Sequence, residues 1–215
     1  MPADGAWDGH RSAGSRAPRE GGIGPVPPKD DAGLLRPAAE VHGSYLAALA
    51  EFHAEGRNRH LDASRLADPV VFARFVAALR LEAGDMAAAF RLYREIGVMP
   101  YEGVTDPREL VPETVRWLVV GGEYVGRIAI RHRLTPALLR KGGNIGYEVR
   151  PSARGRGHAT AMLAAALPIA AALGIDQARI DCDVDNVASR RVIEKNGGLF
   201  EKEEAGSLYF WVPTG

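Results

Sequence analysis

The sequence lacks the features that would assign it to several large classes of protein. Its one cysteine, Cys182, excludes an intramolecular disulfide and a cysteine-rich zinc site, and no two of the six histidines have metal-ligand spacing. The 27 Lys and Arg residues balance the 27 Asp and Glu residues, so the protein has no overall positive charge that would attract nucleic acid or an anionic membrane. No apolar run approaches the length of a membrane span, and the N-terminus lacks the apolar region of a signal peptide. We therefore expect a soluble, cytoplasmic protein with no metal, no nucleic acid and no membrane as partners.

Two parts of the chain differ in composition. Residues 1–33 are rich in Gly, Pro, Ala, Arg and Asp and contain little that could be buried. Burial there cannot offset the entropy of ordering the chain, so we expect a disordered tail. Residues 34–215 carry the hydrophobic patterns of helices and strands and fit one domain, either a monomer or a homodimer.

Local patterns predict helices and strands in mixed order. Asp68 as N-cap and Pro69 at the first helical position open a helix that closes on Gly84. Two apolar, β-branched runs around a glycine turn predict a hairpin over residues 115–134. Further helices are predicted at 38–54, 86–96, 158–173 and 187–195, with a turn of helix within 134–144, and further strands at 34–38, 145–149, 178–184 and 208–212. Residues 61–68 are predicted to be a polar connection.

The segment between the strand at 145–149 and the next helix is rich in glycine and arginine. Arg154-Gly155-Arg156-Gly157-His158-Ala159 leads directly into a helix, whose first backbone N–H groups lack partners and carry partial positive charge. Glycines let such amides converge on one anion, while the two arginine side chains either add charge or face solvent. An ordinary strand-to-helix connection explains the same glycines. A nucleotide P-loop needs a Lys-Ser/Thr pair after its glycine, and none follows here. A dinucleotide fingerprint needs its turn directly after the first strand of a parallel sheet, whereas here a hairpin precedes the turn and too little chain follows it.

Two motifs together resemble the GNAT superfamily of N-acetyltransferases. The glycine turn fits that family's pattern of Arg or Gln, two residues, Gly, one residue, and Gly or Ala, with Pro151 upstream. The segment 186–198 resembles Asn-x-x-Ser-x-x-x-x-Glu-Lys-x-Gly-Phe, found in the branch that includes ribosomal-protein N-terminal acetyltransferases. Gly198 replaces the Phe of that pattern, and we expect Phe200 to take over its packing.

This resemblance implies an α/β GNAT fold. A mixed central sheet of about six to seven strands, flanked by helices, would hold acetyl-CoA where two strands diverge in a V. The anion at the glycine turn would be the pyrophosphate of the coenzyme, and the pantetheine arm would pair with the backbone of the strand at 145–149. The implied coenzyme-binding residues are Val149, Arg154, Gly155, Arg156, Gly157, His158, Ala159, Thr160, Asn186 and Ser189.

Acetyl transfer from a thioester to an amine needs a base for the amine and stabilisation of the departing thiolate. Many GNAT relatives use a tyrosine seven residues after the Asn, but that position is Ile193 here. We expect Glu148 and Tyr147 to be the catalytic residues. The same positions also fit an exposed strand glutamate and a core tyrosine.

Three other polar residues near these motifs have structural explanations. Asn144 either positions a water molecule or belongs to the turn before its strand. We expect Asp185 to cap the helix that starts near Val187, and Cys182 to be a small buried hydrophobic residue.

We therefore expect an N-acetyltransferase that moves an acetyl group from acetyl-CoA to a primary amine by direct attack in a ternary complex. The acceptor is either a peptide N-terminus, which the Ser189 motif favours, or a small-molecule amine. The alternative is a non-catalytic acyl-CoA-binding sensor or interaction module, which the missing tyrosine supports. A fold alone does not determine function, so the two alternatives need an experiment. In the presence of amines the enzyme would release free CoA from acetyl-CoA, whereas the sensor would bind acetyl-CoA and release none above background.

Overall fold

The computed structural model describes residues 33–215. Its helices are α1 (His42–Ala54), α2 (Ala63–Leu66), α3 (Pro69–Leu81), α4 (Met86–Ile96), α5 (Pro136–Arg140), α6 (His158–Ala172) and α7 (Val187–Lys195). Its strands are β1 (Gly33–Leu35), β2 (Glu113–Val120), β3 (Glu123–Arg131), β4 (Ile145–Val149), β5 (Gln177–Asp183), β6 (Leu199–Glu204) and β7 (Ser207–Pro213). The expected tail lies outside the described residues, except that Gly33 already begins β1. None of the helices in residues 33–215 is long and apolar enough to cross a membrane.

Capping side chains set the helix boundaries where the sequence predicted them. Asp68 Oδ1 accepts hydrogen bonds from the backbone N–H groups of Val70 at 2.7 Å and Val71 at 3.3 Å, and Pro69 follows at the first position of α3. The predicted start of α3 is therefore confirmed, but the helix ends at Leu81 instead of reaching Gly84. The bounds of α4, α7 and β4 are those that the sequence predicted.

The seven strands form two antiparallel sheets, in the orders β1-β2-β3-β4 and β5-β7-β6. The α/β class and the number of strands are as expected. The single mixed sheet is not observed, because within residues 33–215 every hydrogen-bonded strand pair is antiparallel. The two sheets meet at the start of β4, where Asn144 N donates to the carbonyl of Arg179 at 2.7 Å and Arg179 N donates to Asn144 Oδ1 at 2.9 Å. This contact does not continue as a ladder, so β4 and β5 lie in separate sheets and leave a gap where the V was expected.

The four-stranded sheet is buried on both faces. Helices α1, α3 and α4 pack on one face around Trp117 of β2, which is 1% exposed. Helix α6 and strands β5 and β7 pack on the other face around Ile128 of β3, which is fully buried. Neighbouring residues of a strand point to opposite faces, and burial of both faces explains the continuous apolar runs of β2 and β3.

Two elements escaped the sequence prediction because their side chains give little hydrophobic signal. Strand β6 is mostly exposed, and Phe200 on it is 59% exposed. The expectation that Phe200 fills the place of the missing Phe is therefore wrong, since its ring packs only edge-on against Phe210 at 5.8 Å between centroids. Helix α2 lies in what the sequence suggested was a polar connection, and it buries Leu66 completely.

Replacing Gly143 with alanine is expected to destabilise the junction of the two sheets. Gly143 has φ +56°, and a Cβ there would lie 2.3 Å from the carbonyl oxygen of Arg179. The left-handed backbone and this overlap together should lower the free energy of unfolding by more than about 2 kcal/mol. Urea unfolding measures the loss. The matched control is Gly206→Ala, which has φ +78° and open space around its Cβ and should lose only about 1 kcal/mol. Equal losses in the two variants would contradict the role of this close contact.

Candidate active site

The glycine turn presents a run of backbone N–H groups that have no protein partner. A short 3-10 turn, Pro151–Ala153, follows β4, and Gly157 is the N-cap of α6. Within residues 33–215 the first backbone bond of α6 runs from Ala161 N to the carbonyl of Gly157 at 3.1 Å. The unpartnered N–H groups are those of Gly155, Arg156, Gly157, His158, Ala159 and Thr160. They lie at the positive end of a helix dipole of 15 residues, which is an arrangement suited to binding an anion.

The two glycines of the turn adopt a backbone that other residues rarely adopt. Gly155 has φ +76° and Gly157 has φ +83°. A Cβ at either position would meet no atom within 4 Å, so packing does not exclude a side chain there. The left-handed backbone and the open approach to the amides are therefore the two reasons for glycine at these positions.

The arginine side chains of the turn do not both face the amides. Arg154 donates through Nη1 and Nη2 to the carboxylate of Glu55 at 2.8 and 2.7 Å, and through Nε to the carbonyl of Val149 at 3.1 Å. These hydrogen bonds lower the pKa of Glu55 and tie the end of α1 to the end of β4. Arg154 thus positions the turn with its side chain, whereas Arg156 is exposed and forms no salt bridge with the described residues.

Strand β4 is an edge strand with one open side. Backbone hydrogen bonds at Asn144 and Arg150 flank its pairing with β3 and fix which residues face that partner. Since every second residue of an antiparallel strand bonds to its partner, Tyr147 and Val149 direct their backbone N–H and C=O groups away from β3. No strand pairs with that side within residues 33–215. An extended ligand can bind to such an edge as an additional strand would.

Helix α7 begins with a side-chain cap from Asn186. Asn186 Oδ1 accepts a hydrogen bond from Ser189 N at 3.0 Å. The expectation that Asp185 caps this helix is wrong, because the chain places Asp185 one residue too early and only its backbone carbonyl bonds to Val187 N, at 2.9 Å. The cap uses the amide oxygen of Asn186 and the backbone of Ser189, which leaves the predicted coenzyme contacts of Asn186 to its amide nitrogen.

The hydroxyl of Tyr147 reaches from β4 to the start of α7. It lies 2.7 Å from Ser189 Oγ and 3.3 Å from the carbonyl oxygen of Ser189. Burial raises the pKa of Tyr147 to about 12, partly offset by the hydrogen bond to Ser189, so the phenol keeps its proton at neutral pH. Ile193, which stands where relatives carry a tyrosine, is fully buried in the same helix.

Cys182 lies next to this group as a buried thiol. It is 7% exposed, which confirms the small buried hydrophobic residue expected from the sequence. Burial, with the nearby carboxylates of Asp181 and Asp183, raises the pKa of the Cys182 thiol. A thiol that keeps its proton is a poor nucleophile.

Glu148 lies on the other face of β4, against the loop that joins α1 and α2. Asn58 Nδ2 donates to both carboxylate oxygens at 3.2 and 3.1 Å, and Arg57 Nη2 donates to Oε2 at 3.2 Å. The Glu148 side chain is 14% exposed. A cavity of about 10 Å³, roughly the space of one water molecule, lies beside it among Tyr45, Leu49, Phe52, Asn58 and Tyr124.

Behind Glu148 a row of partly buried charges crosses the sheet. Arg127 is the cross-strand partner of Glu148 in the β3–β4 register, so both side chains lie on the same face. Glu113 follows on β2, where its carboxylate lies 3.8 Å from Arg127 Nη2 and 3.2 Å from Arg131 Nε. Burial lowers the pKa of Arg127, but the charges of Glu148 and Glu113 outweigh it and raise that pKa above its ordinary value. Arg127 is thus a fixed cation on this face of the sheet.

The structure also shows residues that the sequence did not single out. Asn58 and Arg57 hydrogen-bond to Glu148, which lies about 90 positions later in the chain. The only local signal for Asn58 is its positive φ of +54°, and the sequence does not reveal it. Asn144 is 3% exposed and bonds to both Arg131 and Arg179, so its side chain joins the two sheets. Within residues 33–215, no group of three or more His, Cys, Asp and Glu side chains is arranged to hold a metal ion.

Comparison with known proteins supplies the family. Residues 68–198, well over half of the chain, match the family model described as acetyltransferase (GNAT) domain. None of the curated proteins is similar to the chain at a significant level. RimJ of Mycobacterium smegmatis, solved in complex with CoA-disulfide, is 20% identical with a TM-score of 0.53, covering 86% of this chain and 88% of that chain. The microcin C7 self-immunity acetyltransferase MccE, solved with acetyl-CoA and AMP, is 13% identical with a TM-score of 0.52, covering 86% of this chain and 93% of that chain. At these identities the two structures share the fold with this chain.

Proposed function

Because the chain belongs to the GNAT acetyltransferase family, whose acetyl donor is acetyl-CoA, we propose that it transfers the acetyl group to the primary amine of a peptide or small molecule. One observation carries the proposal. The open edge of β4 leads, across a single short turn, to the unpartnered amides at the start of α6. An extended pantetheine arm followed by a pyrophosphate needs these two surfaces in this order.

We assign the coenzyme contacts to these two surfaces and to α7. The backbone groups of Tyr147 and Val149 would pair with the amide groups of the arm. The amides from Gly155 to Thr160 would hold the pyrophosphate, with Arg156 adding its charge. Asn186 and Ser189 would contact the arm from the other side of the gap between β4 and β5.

We assign Glu148 as the base that removes a proton from the amine. Its carboxylate accepts hydrogen bonds from Asn58 and Arg57, and the adjacent cavity holds about one water molecule, so the proton can pass directly or through that water. The neutral amine then attacks the carbonyl carbon of the thioester. A nitrogen–carbon bond forms, the carbon–sulfur bond breaks with its electron pair leaving on sulfur, and the nitrogen releases its second proton to water to give the neutral amide.

We assign Tyr147 as the proton donor to the departing sulfur. Its hydroxyl lies beside α7, the helix in which Ile193 occupies the usual tyrosine position. A pKa of about 12 keeps Tyr147 protonated at neutral pH, so its hydroxyl can donate a hydrogen bond to the sulfur as negative charge develops there, and the proton that completes the thiol is replaced from water. Tyr147 would therefore supply from β4 the group that relatives supply from the helix.

Tyr147→Phe is expected to lower kcat about 100-fold, within the range for loss of a general acid. The affinity for acetyl-CoA should change little, because the backbone of residue 147 and not its hydroxyl pairs with the arm. Steady-state rates and a calorimetric titration with acetyl-CoA measure the two quantities. Tyr209→Phe is the control, since it also removes a hydroxyl that hydrogen-bonds to a backbone carbonyl, that of Arg140. An unchanged kcat in Tyr147→Phe would eliminate Tyr147 as the acid.

The acceptor is the part of the proposal that the family leaves open. The Asn186-x-x-Ser189 segment resembles the branch of ribosomal-protein N-terminal acetyltransferases, and on this ground we favour a peptide α-amine. The loop that carries Arg57 and Asn58 borders Glu148 and would form one wall of the acceptor site.

The experiment combines the purified protein and acetyl-CoA with short peptides that have free N-termini or with small primary amines, and measures the release of free CoA. The same peptides with formylated N-termini are the control. Release that depends on the free amine supports the proposal. Binding of acetyl-CoA with no release above the rate without protein would contradict it and favour the non-catalytic sensor.

A further inference from the structure

A basic cavity lies at the edge of the four-stranded sheet opposite β4. It has a volume of about 170 Å³ and lies between the start of β2 and the end of α3. Strand β1 ends with Leu35 opposite Trp117, so Arg36 follows at the level of Arg116. The cavity is lined by Arg36, Pro37, Leu79, Arg80, Thr114 and Arg116, among others. Since β1 and β4 are the two outer strands of this sheet, the cavity is remote from the glycine turn.

The three arginines of this cavity have no acidic partner among residues 33–215. Elsewhere in the protein arginines pair with carboxylates, as Arg154 does with Glu55 at 2.7 Å. Within residues 33–215 no carboxylate oxygen lies within 4.0 Å of the guanidinium nitrogens of Arg36, Arg80 or Arg116. The cavity therefore gathers three like charges with no counter-charge from this part of the chain.

Backbone carbonyls hold two of these guanidinium groups in place. Arg80 Nε donates to the carbonyl of Pro37 at 2.6 Å, and Arg116 Nη1 donates to the carbonyl of Val115 at 3.0 Å. Each guanidinium has five N–H donors, so most of them stay available to a ligand. Burial and then the charge of Arg36 lower the pKa of Arg116, which is the mark of a cation without an anion nearby.

We propose that this cavity binds a phosphate group, at a site separate from the coenzyme. Three guanidinium groups around one small space suit a doubly charged, tetrahedral anion, because each planar fork can donate two hydrogen bonds to it. The volume is below the range of about 300–1,000 Å³ for sites that enclose a whole small molecule, so the site takes the phosphate and leaves the remainder outside. The phosphate is either inorganic phosphate or the phosphoryl group of a monoester.

The test uses the full chain with Gly157→Glu, so that the amides at the start of α6 do not take up phosphate. Calorimetric titrations with inorganic phosphate and with phosphoserine, at ionic strength fixed with sodium chloride, are expected to show one binding event. Adding Arg36→Gln and Arg116→Gln together should weaken that event at least tenfold. Adding Arg91→Gln, an exposed arginine on α4, should leave it unchanged. Stronger binding of phosphoserine than of phosphate would identify a monoester as the ligand, and the reverse would identify the free anion.

Two results with the Gly157→Glu protein would overturn this proposal. One is equal phosphate affinity in the arginine variants and their parent, and the other is no binding to the Gly157→Glu protein at millimolar phosphate. If the double variant fails to fold, Arg36→Gln alone, at an exposed position, gives the same comparison. In the otherwise wild-type protein, the two arginine substitutions should leave acetyl-CoA affinity unchanged, and weaker binding there would contradict a separate site. Acetyl transfer does not depend on this cavity, so failure here leaves the proposed function intact.

Discussion

Gly157→Glu is expected to abolish acetyl-CoA binding, with the dissociation constant raised at least about 100-fold, or about 2.7 kcal/mol. A side chain at Gly157 would extend into open space beside the unpartnered amides. Its carboxylate would then occupy the position of the pyrophosphate, bonding to the amides itself and repelling the anion. Calorimetric titration of the folded variant with acetyl-CoA measures the effect.

Gly174→Glu is the matched control for this experiment. Gly174 follows the other end of α6, with φ +79° against +83° at Gly157, and a Cβ there also meets no atom within 4 Å. Both substitutions therefore carry a similar backbone cost, about 1–2 kcal/mol of stability. Only the first changes the anion site, so Gly174→Glu should bind acetyl-CoA normally. Equal affinity in the two variants would remove the glycine turn as the pyrophosphate site.

Glu148→Gln is expected to lower kcat about 100- to 1,000-fold while leaving acetyl-CoA affinity within a few-fold of the wild type. The amide keeps the size of the carboxylate and can still accept a hydrogen bond from Asn58, so the local packing is preserved. It cannot take up a proton, and losses of this size are typical when a general base is removed. Initial rates over a range of pH, together with calorimetry, separate the catalytic loss from a loss of binding.

Two variants serve as controls for Glu148→Gln. Glu203→Gln removes an exposed carboxylate on β6 and should leave the rate unchanged. Asn58→Ala removes a donor to Glu148 but not the carboxylate, and should lower kcat less than Glu148→Gln does. A fully active Glu148→Gln enzyme would eliminate Glu148 as the base and return it to the role of a structural partner for Arg57 and Arg127.

The elements that could be predicted from the sequence are those fixed by local chemistry. An Asp-Pro pair sets the start of α3, a glycine turn joins β2 and β3, and glycines with positive φ precede α6. Each depends on residues within a few positions of one another, so a single sequence contains the information. The unpartnered amides before α6 belong to this class, because the first turn of any helix lacks partners for its N–H groups.

The surroundings of the two proposed catalytic residues could not be predicted in the same way, because they depend on contacts between distant segments. Asn58 meets Glu148 across 90 positions, and Tyr147 meets Ser189 across 42. The salt bridge between Arg154 and Glu55 likewise turned an expected anion ligand into a residue that positions the turn. The division into two sheets depends on where the β4–β5 contact stops, which no local pattern encodes.

The central claim is that acetyl-CoA binds along the open edge of β4 and ends at the amides before α6. Hydrogen–deuterium exchange of the backbone, with and without acetyl-CoA, tests it most directly because it reports on those N–H groups themselves. We predict slower exchange over residues 147–160 on addition of acetyl-CoA, with little change in α3 and α4. Saturating acetyl-CoA that leaves exchange over residues 147–160 unchanged would contradict the account.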